Sequence, residues 1–233
     1  MGRVESANVQ RYLDAKYLTL EALAARAGVT PERILELIDA QCVPPHSHEV
    51  RGVAIYASTF GEYAAPVPPV RYYHPSLAVW VRKASALARR HSLADVARRM
   101  RKDFEQAFEE ALDGRAPPWP RGVDHAWAYL MDGTWGLCLK EITVASMLQK
   151  EFARQTIAHL VSPDPDHVLS PAARTALIEA IEAYDQVAAD FGPHERDDSS
   201  RALEVGAAIE KYGLAEEIGA RRDTQRPPLR KAS

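Results

Sequence analysis

The strongest constraint on the fold is a long stripe of large apolar side chains near the middle of the chain. Its members recur three or four residues apart, which places them on one face of an α-helix. The stripe is formed by Leu93, Val96, Met100, Phe104, Phe108 and Leu112. Ser92 is placed to cap this helix, with Asp95 as its capping-box partner three residues later. Gly114 and the pair Pro117–Pro118 end it, so the segment predicts one long amphipathic helix.

Further apolar periodicities predict about seven helices in all. The expected fold class is therefore mostly α: a compact multi-helix domain with a helix-turn-helix-like unit at its N-terminus. At most a small β-hairpin is expected near residues 50–59, where Val53, Ile55 and Tyr56 favour a strand. The proline-rich segment from Tyr63 to Pro75 has neither a helical nor a strand period, and it predicts an ordered loop.

The same periodicities suggest how the chain is divided. We expect residues 1–45 to form the helix-turn-helix-like unit and residues 46–220 to form the helical main domain, with the first packed against the second. Residues 221–233 are polar and contain adjacent prolines, which predicts a disordered tail.

Composition and charge exclude several classes of protein. The 233 residues carry 29 basic and 32 acidic side chains, a net charge of −3. This balance rules out a globally basic nucleic-acid coat and an acidic disordered chain. Two cysteines, Cys42 and Cys138, are too few for a disulfide framework or a four-cysteine zinc site. The chain shows neither a signal-peptide core nor an apolar run of about 18 residues, so we expect a cytoplasmic protein with no membrane partner.

The segment from Leu18 to Pro45 predicts two short helices joined by a tight turn at Gly28. It resembles the N-terminal helix-turn-helix of MerR-type regulators, where a similar L-A-x-x-A-G-V-T/S run precedes the second helix. The exposed positions of the second helix, however, hold three acids and one base: Glu32, Arg33, Glu36 and Asp39. An acidic helix repels phosphates, so nucleic acid is not the expected partner. A DNA-binding regulator or a protein-interaction module stays open as an alternative function.

The segment from Asp132 to Cys138, DGTWGLC, is the least generic part of the chain. Glycine is costly inside a helix, and two glycines here indicate a turn or a close approach of the backbone to another segment. A turn lined by Thr134, Trp135 and a thiol is a candidate pocket wall for an apolar or planar ligand. The alternative is a packed corner, with Trp135 in the core and Cys138 as a small buried apolar residue.

A catalytic Cys138 would require a base, since the thiolate is the nucleophile. The candidate bases are His74, His125 and His159, and Asp132 is the candidate polar anchor. The pocket is expected between the 72–76 loop and the 132–138 turn. The candidate ligand-binding residues are Trp135, Thr134, Tyr73 and Ser47.

The sequence assigns no cofactor and no metal site. A weak alternative is offered by His46, His48 and Glu49, because residues two apart in an extended chain point to the same side. Two imidazoles could then reach one ion, although a third ligand is not placed. A metal-dependent enzyme at His46 and His48 is accordingly the third functional hypothesis.

Three segments together resemble an uncharacterised bacterial family, some of whose members carry the name natural product biosynthesis protein. They are the run from Leu18 to Pro45, the run from Tyr73 to Trp80, and DGTWGLCLKEIT with the helix that follows it. The recurrent G-T-Y/W-G-V/L-C element of that family is represented here by residues 133–138. His48 departs from the family pattern, which argues against a family metal site there. The resemblance extends to Val161 and supplies no proven catalytic residues.

What the resemblance implies is a small-molecule pathway in a bacterium. The first functional hypothesis is therefore an accessory or catalytic protein of bacterial small-molecule biosynthesis with a Cys/His pocket. Its partner would be a small-molecule substrate or a biosynthetic protein, and a homodimer stays open.

Overall fold

The computed structural model describes residues 6–59 and 61–225, and this part of the chain is mostly helical. It contains eleven α-helices and one two-stranded antiparallel sheet. The helices are α1 (Ser6–Lys16), α2 (Leu20–Ala27), α3 (Pro31–Asp39), α4 (Leu77–Leu87), α5 (Leu93–Leu112), α6 (Gly122–Met131), α7 (Thr134–Cys138), α8 (Val144–Leu160), α9 (Pro171–Val187), α10 (Ala207–Tyr212) and α11 (Ala215–Gln225). The strands are β1 (His48–Ser58) and β2 (Gly61–Tyr72).

The helix starts follow the caps that the sequence predicts. Thr19, Thr30 and Ser92 each accept a hydrogen bond from a backbone N–H of the first turn, at 3.2–3.3 Å. Gly28 ends α2 in the left-handed conformation, with φ 71°. These signals are local, because a cap needs only the residues of its own turn.

The expected count of about seven helices is too low. The additional helices are short or lie late in the chain: α6 and α7 on either side of Gly133, and α11 from Ala215 onward. Periodicity alone would join α6 and α7 into one helix. The turn at Asp132–Gly133 separates them, with Gly133 at φ 88°. The disordered tail was expected from residue 221, yet 221–225 belong to α11. Residues 226–233 lie outside the described part.

The predicted loop from Tyr63 to Pro75 is wrong over most of its length, because residues 61–72 form β2. Strand β1 pairs with it antiparallel from His48 opposite Tyr72 to Ser58 opposite Gly61, with an irregularity between Val50 and Gly52. In a two-stranded sheet each strand has a free edge, so a proline can turn its missing N–H outward without breaking a ladder bond. The adjacent Pro68 and Pro69 cannot both face the free edge, but they lie between Val67 and Val70, where the register irregularity interrupts the ladder.

Two main buried clusters organise α2 to α11, and a third, formed by Leu13, Tyr17 and Tyr72, joins α1 to the end of β2. The larger one joins α2 and α3 to α4 through α8, and Leu23, Ile34, Val81 and Phe104 are all buried within it. The smaller one joins α8 and α9 to the C-terminal helices. A π-helical turn, Arg201–Gly206, precedes α10. Across the described residues, every helix is too short or too polar to cross a membrane.

Candidate functional site

The segment Asp132–Cys138 forms a turn followed by the short helix α7. The exposed Asp132 accepts a hydrogen bond from the Thr134 N–H at 2.9 Å, which starts the helix. This carboxylate therefore has a local structural partner. The expected anchor for a ligand is here a helix-initiating residue.

The two glycines of this segment admit a close neighbour, as the sequence predicts. A Cβ atom on Gly133 would come 2.9 Å from the His46 carbonyl oxygen, and one on Gly136 would overlap Ser47 Oγ. The neighbour is the chain entering β1, whose Ser47 N–H donates to the Tyr72 carbonyl at 2.9 Å. Ser47 Oγ is buried without a hydrogen-bond partner in the described chain. Ser47 is therefore a packing residue against α7.

Trp135 belongs to the core, as the packed-corner alternative expects. Its side chain is 1% exposed, and its Nε1–H donates to the Ala126 carbonyl at 2.9 Å. Lys150 is also buried, with Nζ 5.9 Å from the centre of the Trp135 ring. The half-buried Thr134 offers its carbonyl to the Cys138 thiol at 3.3 Å.

The Cys138 thiol has no histidine as its hydrogen-bond partner among the described residues. Burial raises its pKa, although the neighbouring Lys150 acts in the opposite direction. A buried thiol that donates to a carbonyl is held as the neutral S–H form, and the neutral form is a poor nucleophile. The geometry therefore favours the packed-corner alternative for Cys138.

The three candidate bases lie in different surroundings. His74 is buried, its Nδ1 accepts the Ser76 N–H at 3.1 Å, and burial lowers its pKa to about 4. His125 stacks on Trp119 with ring centres 5.4 Å apart. His159 is exposed near the end of α8. The hydrogen bond to His74 and the ring stacking of His125 assign structural roles to these two histidines.

Tyr73, a candidate ligand-binding residue, is 1% exposed. Its backbone N–H and carbonyl pair with Leu18 at 2.8 and 2.9 Å. The residue therefore fixes the end of β2 to the segment between α1 and α2. Tyr73 lines a hollow of about 410 Å³ together with Leu20 and Arg71. A separate hollow of about 220 Å³ is lined by Tyr17, His74 and Lys140, among others.

The metal set expected from sequence is not assembled. Glu49 accepts from Arg51 Nε at 2.6 Å and from Arg71 Nε at 3.0 Å, so its carboxylate is already paired. His46 Nε2 lies 3.7 Å from Glu49 Oε2. His48 is buried, and its Nδ1 lies 3.3 Å from a different carboxylate, that of Glu195. The reason is that β1 begins only at His48, so the strand alternation does not extend back to His46.

His48 instead belongs to a compact cluster that we call the histidine cluster: Tyr12, Tyr17, His48, His194 and Glu195. His48 Nδ1 and His194 Nε2 each lie 3.3 Å from Glu195 Oε1. The Tyr17 ring meets the His48 ring edge-on at 4.5 Å, and the Tyr12 ring is 6.3 Å from both imidazoles. Five side chains from three separate segments thus come together, and two of them, the imidazoles of His48 and His194, meet at one carboxylate oxygen of Glu195.

Burial sets the electrostatics of the histidine cluster. The pKa of His48 is lowered to about 4, first by burial and then by the neighbouring His194. Burial also raises the pKa of Glu195, against the opposing effect of His194. His48 Nε2 and Glu195 Oε2 are buried without hydrogen-bond partners in the described part of the chain.

Sequence reasoning did not single out His194 and Glu195, which lie in the connection after α9. A Cβ atom on Gly192 would come 2.8 Å from the His194 ring and from the Tyr12 ring, so glycine lets the two rings meet. The signal that could have identified them is a turn, Gly192–Pro193, followed at once by two potential ligand residues. Their partner His48 is far away in the sequence, so no spacing rule connects them.

The second feature of the molecule is an apolar cavity of about 580 Å³ between α4, α5 and the start of α8. Its walls include Trp80, Met100, Phe104, Ile142 and Val144. The Trp80 and Phe104 ring centres are 6.4 Å apart. The sequence placed Met100 and Phe104 on the apolar face of one predicted helix, but it did not predict a gap beside them.

A polar rim and a neighbouring hollow border this cavity. Lys83 and Asp103 form an ion pair of 2.9 Å at the rim, and Glu110 also lines the cavity. A hollow of about 630 Å³ shares Ala111 and Ala145 with the cavity and continues along α8 toward α9, with a more polar lining.

Comparison with protein families gives one match, to the family described as Family of unknown function (DUF6058), over residues 78–213. The match includes the whole apolar cavity, α7, His194 and Glu195, whereas His48 and His74 precede it. Comparisons with curated proteins and with solved structures gave no match. Because the matched region exceeds half of the sequence, this chain belongs to the DUF6058 family of unknown function.

Proposed function

We propose that this chain is an accessory or catalytic protein of bacterial small-molecule biosynthesis that holds an apolar ligand in the cavity between α4, α5 and α8. The observation that carries the proposal is the cavity itself. Its volume of about 580 Å³ falls within the ~300–1,000 Å³ of ordinary small-molecule sites. It lies wholly inside the region that matches the family.

The lining favours a ring-bearing, largely uncharged ligand. Trp80 and Phe104 present aromatic surface, and Met100 is an adaptable neighbour whose thioether packs well against rings. The polar groups at the rim already have partners, because Lys83 pairs with Asp103 and the Glu110 carboxylate accepts a hydrogen bond from Gln106. A ligand therefore gains by removing apolar surface from water, at about 25 cal/mol per Å².

The test is a titration with the neutral dye N-phenyl-1-naphthylamine, whose fluorescence rises in an apolar site. We expect saturable binding to one site per chain. Ala107 lines the cavity from α5, so Ala107→Trp should fill it and weaken binding by at least about tenfold. Ala94→Trp is the matched control, because Ala94 is exposed on the same helix and does not line the cavity.

Two results would overturn this assignment. One is the absence of saturable dye binding to the folded wild type. The other is equal affinity for the wild type and the Ala107→Trp variant, which would place the dye elsewhere. Circular dichroism of both variants separates blocked binding from misfolding.

The remaining functional expectations are proposals with weaker support. The helix-turn-helix-like, MerR-type reading of Leu18 to Pro45 receives little support as a DNA reader, because the exposed positions of α3 are Glu32, Glu36 and Asp39. A biosynthetic partner protein, a homodimer and a cytoplasmic location rest on sequence alone. Light scattering and cell fractionation test the last two.

A further inference from the structure

The histidine cluster carries an inference that is independent of the apolar cavity. We infer that His48, His194 and Glu195 bind one divalent transition-metal ion of the zinc type. The three residues come from two segments, the start of β1 and the connection after α9. One ligand atom from each lies within 4.8 Å of the other two.

The spacing of these atoms suits such an ion. His48 Nδ1 and His194 Nε2 are each 3.3 Å from Glu195 Oε1. Ligands at about 2.0–2.1 Å from a tetrahedral zinc ion stand about 3.3–3.4 Å from one another. Both distances are long for hydrogen bonds of charged groups, which are about 2.7–2.9 Å.

The ligand types narrow the class of ion. Two imidazoles and one carboxylate suit zinc, iron, cobalt or nickel, whereas calcium and magnesium prefer oxygen ligands alone. No cysteine thiol belongs to the set, so a soft ion such as Cu(I) is not favoured. Zinc is therefore the reference ion, and cobalt(II) is its spectroscopic substitute.

In the described part of the chain, the charge of Glu195 is not balanced by a permanently charged side chain. Within residues 6–59 and 61–225, its ion-pair partners are the imidazoles of His48 and His194, without a lysine or arginine. Its Oε2 is buried and has no hydrogen-bond partner there. A carboxylate withdrawn from water without a paired charge is costly, and a divalent ion would offset that cost.

The surroundings hold the ligands in place and leave one side open. The Tyr17 ring packs edge-on against His48 at 4.5 Å, while Gly192 lets the His194 ring lie against Tyr12. The side chain of His194 is still 32% exposed. Three protein ligands beside solvent leave a coordination position for water, which is the arrangement of catalytic rather than structural zinc sites.

The experiment is a cobalt(II) titration of the full chain, prepared without a histidine tag and treated with a chelator. We expect visible d–d absorption that saturates at one ion per chain and is lost when zinc is added. Glu195→Gln preserves shape and removes the charge, and His194→Ala removes a partly exposed ligand. Each should weaken cobalt binding by at least about tenfold and abolish the rise in melting temperature that zinc gives the wild type.

His46→Ala is the matched control, because His46 is a neighbouring histidine outside the set. It should keep the stoichiometry and the spectrum of the wild type. The inference is overturned if the wild type shows no saturable cobalt spectrum, or if folded Glu195→Gln and His194→Ala bind cobalt as the wild type does. Loss of binding in His46→Ala with retention in Glu195→Gln would equally overturn it. Dye binding in the apolar cavity should be unchanged in all three variants.

Discussion

Gly136 of α7 lies against Ser47 so closely that a Cβ atom on Gly136 would overlap the Ser47 hydroxyl oxygen. The same added atom would come 3.5 Å from the Cβ atom of His74. This contact seats the chain that enters β1 on α7. It also positions His48, which directly follows Ser47 and is the first residue of β1. The glycine therefore supports both the hairpin and the histidine cluster through packing alone.

Gly136→Ala should destabilise the fold by about 1–3 kcal/mol, the usual cost of overpacking a filled interior. Urea denaturation measures the change. Gly219→Ala in α11 is the control, because a Cβ atom there meets nothing within 4 Å and alanine favours a helix. Adding Ser47→Ala to Gly136→Ala should restore part of the loss. Unchanged stability of Gly136→Ala would show that the two segments do not touch in solution.

Both thiols should be unreactive in the native protein. Burial raises the pKa of Cys42 and of Cys138, so the unreactive S–H form persists to higher pH than in a free cysteine. Because the folded pKa values lie above the unfolded ones, this contribution to stability is complete below the ordinary thiol pKa and declines as pH rises past it. Ellman's reagent at pH 8 should label both cysteines only after unfolding. Rapid labelling of native Cys138 would restore it as a nucleophile.

His74 should make the fold sensitive to acid. Burial lowers its pKa to about 4 from an ordinary 6.5, so the unfolded chain takes up a proton before the folded one does. The stability is therefore intact above about pH 6.5 and falls as the pH drops toward 4. His74→Asn should retain the hydrogen bond from Ser76 N–H, since asparagine makes the same short turn.

The measurement is the free energy of unfolding at pH 7 and at pH 4.5. The difference between the two should be smaller in His74→Asn than in the wild type, even if the variant is less stable at both. His159→Asn, at an exposed position, should behave as the wild type. An unchanged difference in His74→Asn would assign the acid sensitivity to other groups.

DNA should not bind to the α2–α3 pair. The exposed positions of α3 carry Glu32, Glu36 and Asp39, and like charges repel the phosphates that supply non-specific affinity. Mobility-shift assays with mixed-sequence fragments at low salt should show no complex. A complex whose affinity falls steeply as salt rises would contradict this expectation and favour the regulator hypothesis.

The parts of the fold that the sequence predicted are those with local causes. Thr19, Thr30 and Ser92 cap their helices because each hydroxyl needs only an N–H of the same turn. The apolar stripe of α5 is buried because its period alone defines the face. Strand β2 was missed because its prolines argue for a loop unless the strand is known to have a free edge.

The candidate sites depend on contacts that no local pattern contains. Gly133 and Gly136 indicated a close neighbour, and only the fold identifies it as His46 and Ser47. His48 meets His194 across a large sequence separation. Trp80 and Phe104 have the same periodicity as filled core positions, so the cavity between them arises from how α4, α5 and α8 pack.

The most direct test of the small-molecule account is anomalous diffraction at the bromine edge from crystals soaked in bromobenzene. The account predicts a single strong bromine peak inside the cavity, in contact with the Trp80 and Phe104 rings, and no such peak in crystals of Ala107→Trp. A peak in the neighbouring hollow beside Phe152, or no ordered bromine in the wild type, would contradict it.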